Sequence, residues 1–293
     1  DFFGRRVIGQ PRATELLCNV VLLLKAGLND PEKPLGSYLF MGPTGVGKTE
    51  SALTLAEYLF GDRKRLIRFD MSEYGDPGSA MRLVSGDADG QGPLTKRVRE
   101  QPFSLLLFDE IEKADSGVFD LLLQILGEGR STDDSGHTVR YTHCIIILTS
   151  NLGAGGRPAM GFSKPGPRQL DRRYLEAAED FFRPEMINRI DHLVPFQDLE
   201  RTSLEKILDG LLAKALSREG LARRNLKVQV SPSLRSRVLE EGFDPKYGAR
   251  PMKRAIETRV ISPLARALTT WRSSDGQNLT LDLVDNEVRV KVS

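Results

Sequence analysis

Residues 42 to 49 read Gly-Pro-Thr-Gly-Val-Gly-Lys-Thr. Four free positions separate Gly42 from Gly47, and Lys48 and Thr49 follow, which is the pattern of a phosphate-binding loop. The chemistry needs these residue types. Glycine lets backbone N–H groups converge on an anion with no Cβ in the way. Lys48 is a compact positive charge that can reach β- and γ-phosphates, and the Thr49 hydroxyl can ligate Mg²⁺. The flanks agree with the motif. Ser37-Tyr38-Leu39-Phe40-Met41 is a short apolar run of strand type, and residues 50–59 carry helical periodicity. Strand, glycine loop and helix start in that order build an anion site, because the helix dipole adds to the free amides.

Further along, Leu105-Leu106-Leu107-Phe108-Asp109-Glu110 is an apolar strand ending in two acids. Acids at the C-terminal edge of a parallel strand face the ligand crevice. Asp109 is expected to hold Mg²⁺, mostly through its water shell. Glu110 is expected to polarise an attacking water as the catalytic base. A phosphate loop alone means nucleotide binding; a loop with Asp-Glu means hydrolysis. Solvated acids at a strand end are the bland alternative, and the upstream loop weighs against it. Thr149-Ser150-Asn151 ends the next apolar strand. A polar side chain there can bond the γ-phosphate or the water; a turn-forming Asn is the structural alternative.

These strands belong to a regular alternation. Residues 66–70, 104–108 and 144–149 are continuous apolar runs that suit parallel strands buried on both faces, with helical patterns such as 118–126 between them. The order predicts an α/β sheet with crossovers. Residues 153–168 have loop composition, and a helix is expected near 171–182. After Pro195 the pattern changes: helix over 203–219, strand over 226–230, a further helix after Ser231-Pro232-Ser233, helix over 249–270. Residues 279–284 and 287–292 alternate on both sides of Asp285-Asn286, the mark of a closing hairpin. A large α/β domain is therefore expected over 1–195 and a small α+β domain over 196–293, with no internal repeat.

Composition sets limits. Lys+Arg total 42 against 40 Asp+Glu, a net charge of +2, which argues against a large nucleic-acid footprint. No apolar run is long enough to span a bilayer, so no membrane partner is expected. His137, His143 and His192 do not make a metal-ligand spacing. Of the two cysteines, Cys144 sits inside a strand pattern and reads as a buried free thiol. Two cysteines and no export signal suit a reducing cytoplasm. The chain starts at Asp1 with no initiator Met, the expectation for a piece of a longer protein.

Taken in order, these segments resemble the AAA+ ATPases of the Clp family of protein unfoldases and disaggregases. Arg6-Val7-Ile8-Gly9-Gln10 is similar to the segment that packs on adenine; Asp70-Met71-Ser72-Glu73-Tyr74 follows the second strand as in Clp proteins. Phe108-Asp109-Glu110-Ile111-Glu112-Lys113-Ala114 resembles the Walker B region. Phe182 to Asp191 looks like the segment carrying an arginine finger, and Tyr247-Gly248-Ala249-Arg250-Pro251-Met252 like the one carrying the second sensor. The likeness covers almost the whole chain and is greatest to the second ATPase module of ClpB- and ClpC-type members, with its small domain.

The resemblance implies a P-loop NTPase (AAA+) parallel sheet with helices on both faces, followed by a small α+β lid. It implies ATP hydrolysis to ADP and phosphate with Mg²⁺. Val7, Ile8, Pro43, Thr44, Gly45, Val46, Gly47, Lys48, Thr49, Glu50, Asp109, Ala249 and Arg250 would contact the nucleotide, with Thr49 and Asp109 on the metal side. Glu110, Asn151, Arg189 and Arg250 would act in catalysis. Arg189 would reach the nucleotide of a neighbouring subunit and Arg250 the phosphates of its own. Guanidinium suits both tasks, because it is always charged and donates in a planar fork. A homo-oligomeric ring, usually a hexamer in this family, and polypeptide substrates follow.

The chain departs from the family at one place. Clp unfoldases carry an aromatic Gly-Tyr-Val-Gly loop that grips the threaded polypeptide. Here residues 82–95 read Arg-Leu-Val-Ser-Gly-Asp-Ala-Asp-Gly-Gln-Gly-Pro-Leu-Thr, shorter than the family pattern and without an aromatic residue. Either residues are missing from this stretch or the protein remodels partners without the pulling loop. Met160-Gly161-Phe162 is similar to the tripeptide that docks Clp proteins on a peptidase, although a local hydrophobic anchor is the favoured reading. The leading expectation is ATP-driven protein remodelling. The alternatives are a nucleotide-gated assembly scaffold and, less favoured, a nucleic-acid loader.

Overall fold

Every residue of β1 (Gly36–Met41) is buried, as is every residue of the runs over 104–109 and 144–150, so these strands need cover on both faces, whereas the run expected to be buried over 66–70 exposes Arg68. The computed structural model describes residues 2–85, 92–133, 136–154, 166–270 and 278–292. The 86–91 part of the shortened loop and Met160-Gly161-Phe162 lie outside the described residues. Two compact units emerge. The first runs to Gln197 except for Thr44–Val46, which group with Asp198–Ser293 in the second.

In the first unit β1, β2 (Leu66–Asp70), β3 (Ser104–Asp109), β6 (Cys144–Ser150) and β7 (His192–Pro195) form one sheet in the order β2-β3-β6-β1-β7. All its pairings are parallel. The three fully buried strands are its middle, and the edge strands β2 and β7 are short or half exposed. A separate two-stranded hairpin joins β4 (Arg130–Thr132) to β5 (Thr138–Arg140). Helix α1 (Pro11–Ala26) precedes the sheet, and α2 (Lys48–Phe60) follows β1 directly. Helices α3 (Ser79–Val84) and α4 (Pro93–Glu100) lie between β2 and β3 in the chain; α5 (Ser116–Glu128) follows β3; α6 (Pro167–Phe181) and α7 (Pro184–Arg189) lead into β7. The ends of α5 are local chemistry: Asp115 accepts the Gly117 N–H at 3.0 Å, and Gly129 closes the helix at φ 61°. The core joins Leu39, Leu106, Phe108 and Ile146 of the strands to Val118, Leu122 and Ile125 of α5.

The shortened segment is pinched at its base. Val84 O accepts both the Gly92 N–H at 2.9 Å and the Thr95 hydroxyl at 2.7 Å. Gly92 approaches the Leu83 carbonyl so closely that a Cβ would overlap it.

The second unit packs α8 (Arg201–Leu216), α9 (Glu219–Ala222), α10 (Pro232–Gly242), α11 (Met252–Ile256) and α12 (Ser262–Thr270) with a sheet of β8 (Lys227–Val230), β9 (Asn278–Val284) and β10 (Glu287–Val292) in the order β10-β9-β8. Leu208, Leu234, Val238, Met252, Leu279 and Leu281 share its core. The hairpin turns where expected: Asp285 and Asn286 both take positive φ, 54° and 65°, as a two-residue turn between right-twisted strands requires. The helix expected over 203–219 instead ends at Leu216. The Ser217 hydroxyl bonds back to Lys214 O at 3.1 Å and Arg218 turns extended, so local side-chain bonding beats helix propagation. The helix expected over 249–270 begins at Met252 and contains a π turn, Glu257–Ile261. Several elements of the first unit escape the sequence reading: α1, α3, α4, the β4–β5 hairpin, α7 and β7.

Candidate functional site

Strands β3, β6 and β1 are neighbours, so their C-terminal ends lie side by side. From these ends come Asp109 and Glu110, then Thr149 to Asn151, then the glycine loop. The loop turns through left-handed backbone at Gly45 (φ 78°) and Gly47 (φ 109°), and Gly42 sits at φ 154°. A Cβ at Gly42 would meet the Phe196 backbone at 2.7 Å, so only glycine fits there. A Cβ at Gly47 would project into open space, room in which a phosphate can approach the main chain. Helix α2 starts at Lys48 and presents its first-turn amides to the same place.

Lys48 is buried, and its ammonium donates to Gly42 O, to Pro43 O at 2.8 Å and to Asn151 Oδ1 at 2.9 Å. The structure thus joins two residues that lie 103 positions apart in the chain. These partners of the ammonium are oxygens of the glycine loop and of Asn151, which set it beside the place where the loop amides converge. The loop geometry and this ammonium fit a phosphate chain. Thr49 and Asp109 offer hard oxygens, the donor type Mg²⁺ prefers. Among the described residues no group of three or more His, Cys, Asp or Glu is arranged to hold a metal by itself.

Asp109 is buried and both of its oxygens are taken. Oδ1 accepts the Thr149 hydroxyl, and Oδ2 pairs with Arg68 Nη2 at 2.6 Å. Arg68 stands on β2, two residues before Asp70, and lies 3.6 Å from the Asp70 carboxylate as well. The hydroxyl and amide of Ser72, with Arg68, hold Asp70 below the usual carboxylate range. Glu110 follows Asp109 in left-handed backbone (φ 57°), which is uncommon for a non-glycine residue. Its N–H donates to Thr149 Oγ1 at 3.0 Å, and its carboxylate pairs with the Lys113 ammonium. That pairing raises the Lys113 pKa. One turn on, Glu112 Oε1 accepts the Asn151 N–H at 3.0 Å, while its buried Oε2 has no partner among the described residues.

The other expected residues are placed elsewhere. Val7 is buried and Ile8 half-buried in an N-terminal turn that Phe3 packs onto Tyr58 of α2. Gln10 and Gln197 clasp each other through two bonds, 2.9 and 3.0 Å. The Glu50 carboxylate pairs with Arg63. Arg189 lies at the opposite edge of the sheet. Its carbonyl accepts Ser37 Oγ at 3.3 Å near the start of β1, and Asp191 Oδ2 accepts both the Ser37 N–H and its hydroxyl at 2.7 Å. Four strand steps, roughly 13 Å, separate Ser37 from Met41 at the loop end. The Arg189 guanidinium is exposed, donates to Leu123 O and lies across Gly127, where a Cβ would overlap it. The structure therefore does not bring Arg189 to the Lys48 group. Ala249 and Arg250 belong to the second unit, in the turn after Gly248 (φ 58°), with Arg250 exposed.

Arg68, Glu112, Lys113 and Thr149 were missed as functional residues. Thr149 lies one residue before the end of β6, Arg68 two before the end of β2, and Glu112 and Lys113 three and four residues past the end of β3.

Residues 33–193 match the family model described as AAA domain (Cdc48 subfamily), and residues 199–281 match the C-terminal, D2-small domain, of ClpB protein. The chaperone protein ClpB of Propionibacterium freudenreichii is 43% identical over 286 residues, 96% of this chain and 32% of that protein. The ClpB chaperones of Corynebacterium glutamicum and Gloeobacter violaceus are 42% and 39% identical over 99% and 98% of the chain, 33% of each relative. The chain spans about a third of the length of these curated relatives. Matched along nearly its whole length, the chain belongs to the AAA ATPases of the Clp type.

Proposed function

We propose that this chain is the ATP-hydrolysing module of a protein-remodelling chaperone of unfoldase or disaggregase type that works as a homo-oligomeric ring. One observation carries the reading: the buried Lys48 ammonium is tied to Asn151 at the ends of β1 and β6, beside the strand that ends in Asp109 and Glu110. That is the arrangement a triphosphate needs for binding and attack together. The chaperone names of the relatives favour remodelling over the scaffold and nucleic-acid-loader readings.

The residues divide the work. Gly42 to Gly47 and the start of α2 wrap the phosphates with amides. Lys48 balances the charge on the β- and γ-phosphates and draws Asn151 to the same oxygens. Thr49 and Asp109 would hold Mg²⁺, which supplies positive charge to the phosphate oxygens when bound. Glu110 leaves Lys113, accepts a proton from the attacking water and so directs its oxygen at the γ-phosphorus. Asn151 orients that water or the γ-phosphate. Val7 and Ile8 offer an apolar seat for adenine, and Ala249 and Arg250 complete the phosphate contacts from the small unit.

Arg189, exposed at the far edge, is assigned to the nucleotide of the next subunit. A ring follows from that assignment; a hexamer and polypeptide substrates are what the Clp likeness implies, and a cytoplasmic setting is what the two cysteines suit. A large domain over 1–195 and a lid over 196–293 are the corresponding division, supported by the two family matches. The test is Glu110→Gln in the full chain. ATP should bind and remain uncleaved, with turnover reduced by about 100-fold or more. Undiminished ATPase activity would remove Glu110 from its role as the base.

A further inference from the structure

We propose that Thr149 is a positioning residue: a one-hydroxyl relay that fixes the backbone of Glu110 to the carboxylate of Asp109. The inference rests on the proposed roles of those two acids. It starts from the end of the β3–β6 ladder, whose last partners are Phe108 and Leu148. One residue on, the chain no longer pairs main chain with main chain. The Glu110 N–H is instead taken by the side chain of Thr149, at 3.0 Å. A hydroxyl has one proton, and that of Thr149 is given to Asp109 Oδ1. The bonds therefore run in a single direction, from Glu110 N–H to Thr149 O–H to Asp109.

Three facts make this more than satisfaction of polar groups. Thr149 is wholly buried and its own backbone is in register with Phe40 of β1, so the hydroxyl cannot drift with solvent. Glu110 holds left-handed backbone, a conformation that a bulky side chain keeps only when its surroundings impose it. The Glu110 amide bond ties this turn to the sheet at the base itself, two residues before the Glu112–Asn151 bond, and the turn sets where the carboxylate points. Asp109 is the group that a divalent cation would address, so charge arriving there acts on the hydroxyl proton and, through the same oxygen, on the Glu110 amide. The relay thus couples the backbone of the base to the carboxylate that would lie on the metal side.

Thr149→Val removes the hydroxyl and keeps the shape; Thr149→Ser keeps the hydroxyl and trims a methyl. In the full assembled chain, Thr149→Val should lower kcat about 10- to 100-fold, as loss of a hydrogen bond to a charged group predicts. KM and the affinity for ADP without Mg²⁺ should stay within about twofold. Thr149→Ser should restore turnover. Hydrogen exchange at single-amide resolution on the nucleotide-free chain gives a readout without catalysis. The Glu110 amide should be protected in the unmodified protein and in Thr149→Ser, and exchange freely in Thr149→Val. Full kcat in Thr149→Val, a Thr149→Ser variant as impaired as the valine, or free exchange of Glu110 in the unmodified chain would each overturn the relay. The last arm needs no variant and decides the matter even if the valine form does not fold. Glu110→Gln run in parallel separates the two readings. If it keeps turnover, the catalytic assignment fails and the relay falls with it; if it blocks turnover while Thr149→Val does not, the relay alone fails.

Discussion

The two edges of the five-stranded sheet are built differently. At the C-terminal edge the charged groups are held by one another or by neutral polar groups: Lys48 with Asn151, Asp109 with Arg68 and Thr149, Glu110 with Lys113. At the N-terminal edge the backbone around Arg189 is anchored through Ser37 and Asp191, while its guanidinium rests on a carbonyl of α5 and faces solvent. The first edge is a site already assembled; the second displays one cation on a rigid mount. Under the proposed function the difference means that a single chain carries the receiving half of the catalytic apparatus on one edge and the donated half on the other.

The largest effect should come from separating the halves. Arg189→Ala should lower turnover of the assembled ring by about 10³-fold, the scale of arginine fingers, while leaving ADP affinity nearly unchanged. Mixing Arg189→Ala chains with Lys48→Ala chains should recover a measurable fraction of activity, because each supplies what the other lacks. No recovery on mixing, in rings shown to contain both chains, would mean that Arg189 does not act across a subunit boundary.

A smaller effect belongs to the C-terminal edge alone. Lys113 holds the Glu110 carboxylate through a half-exposed ion pair. Such pairs are worth roughly 0.2–1 kcal/mol, so Lys113→Ala should raise basal ATPase by no more than about fivefold. A drop in ATPase would show that Lys113 helps the reaction rather than restraining its base.

The smallest effect sharpens the account of the N-terminal edge. Cys144 begins β6 there, wholly buried, and burial pushes its thiol up to about 11. At pH 8 that thiol stays protonated and out of reach, whereas Cys18 is exposed. Alkylation followed by mass spectrometry should label Cys18 in the folded chain and Cys144 only after unfolding. Labelling of both at similar rates would show this edge open rather than sealed.

Much of this was legible in the sequence, and for stated reasons. The middle strands β1, β3 and β6 are buried on both faces, so they read as continuous apolar runs. The glycine loop carries its chemistry in eight adjacent residues. Edge strand β7 has only four residues, His192–Pro195, too few to show a period. The interactions that finish the site were not legible either. Thr149 is the polar member of an apolar run, and the residues it bonds lie 39 and 40 positions away. Arg68 is hidden in a stretch that reads as a continuous apolar run until parallel pairing brings it beside Asp109. The left-handed turn at Asp285-Asn286 was announced by its residue types; the one at Glu110 is imposed by tertiary bonds and has no local signature.

The pinch at Val84 and Gly92 has a wider consequence. The Gly92 N–H and the Thr95 hydroxyl, both on Val84 O, staple the end of α3 to the start of α4 at the two ends of residues 86–91. Lengthening them carries a small entropic cost, about 0.6 kcal/mol for each doubling. Evolution, or an engineer grafting an aromatic grip into this position, can therefore rewrite what the module touches without disturbing how it burns its fuel.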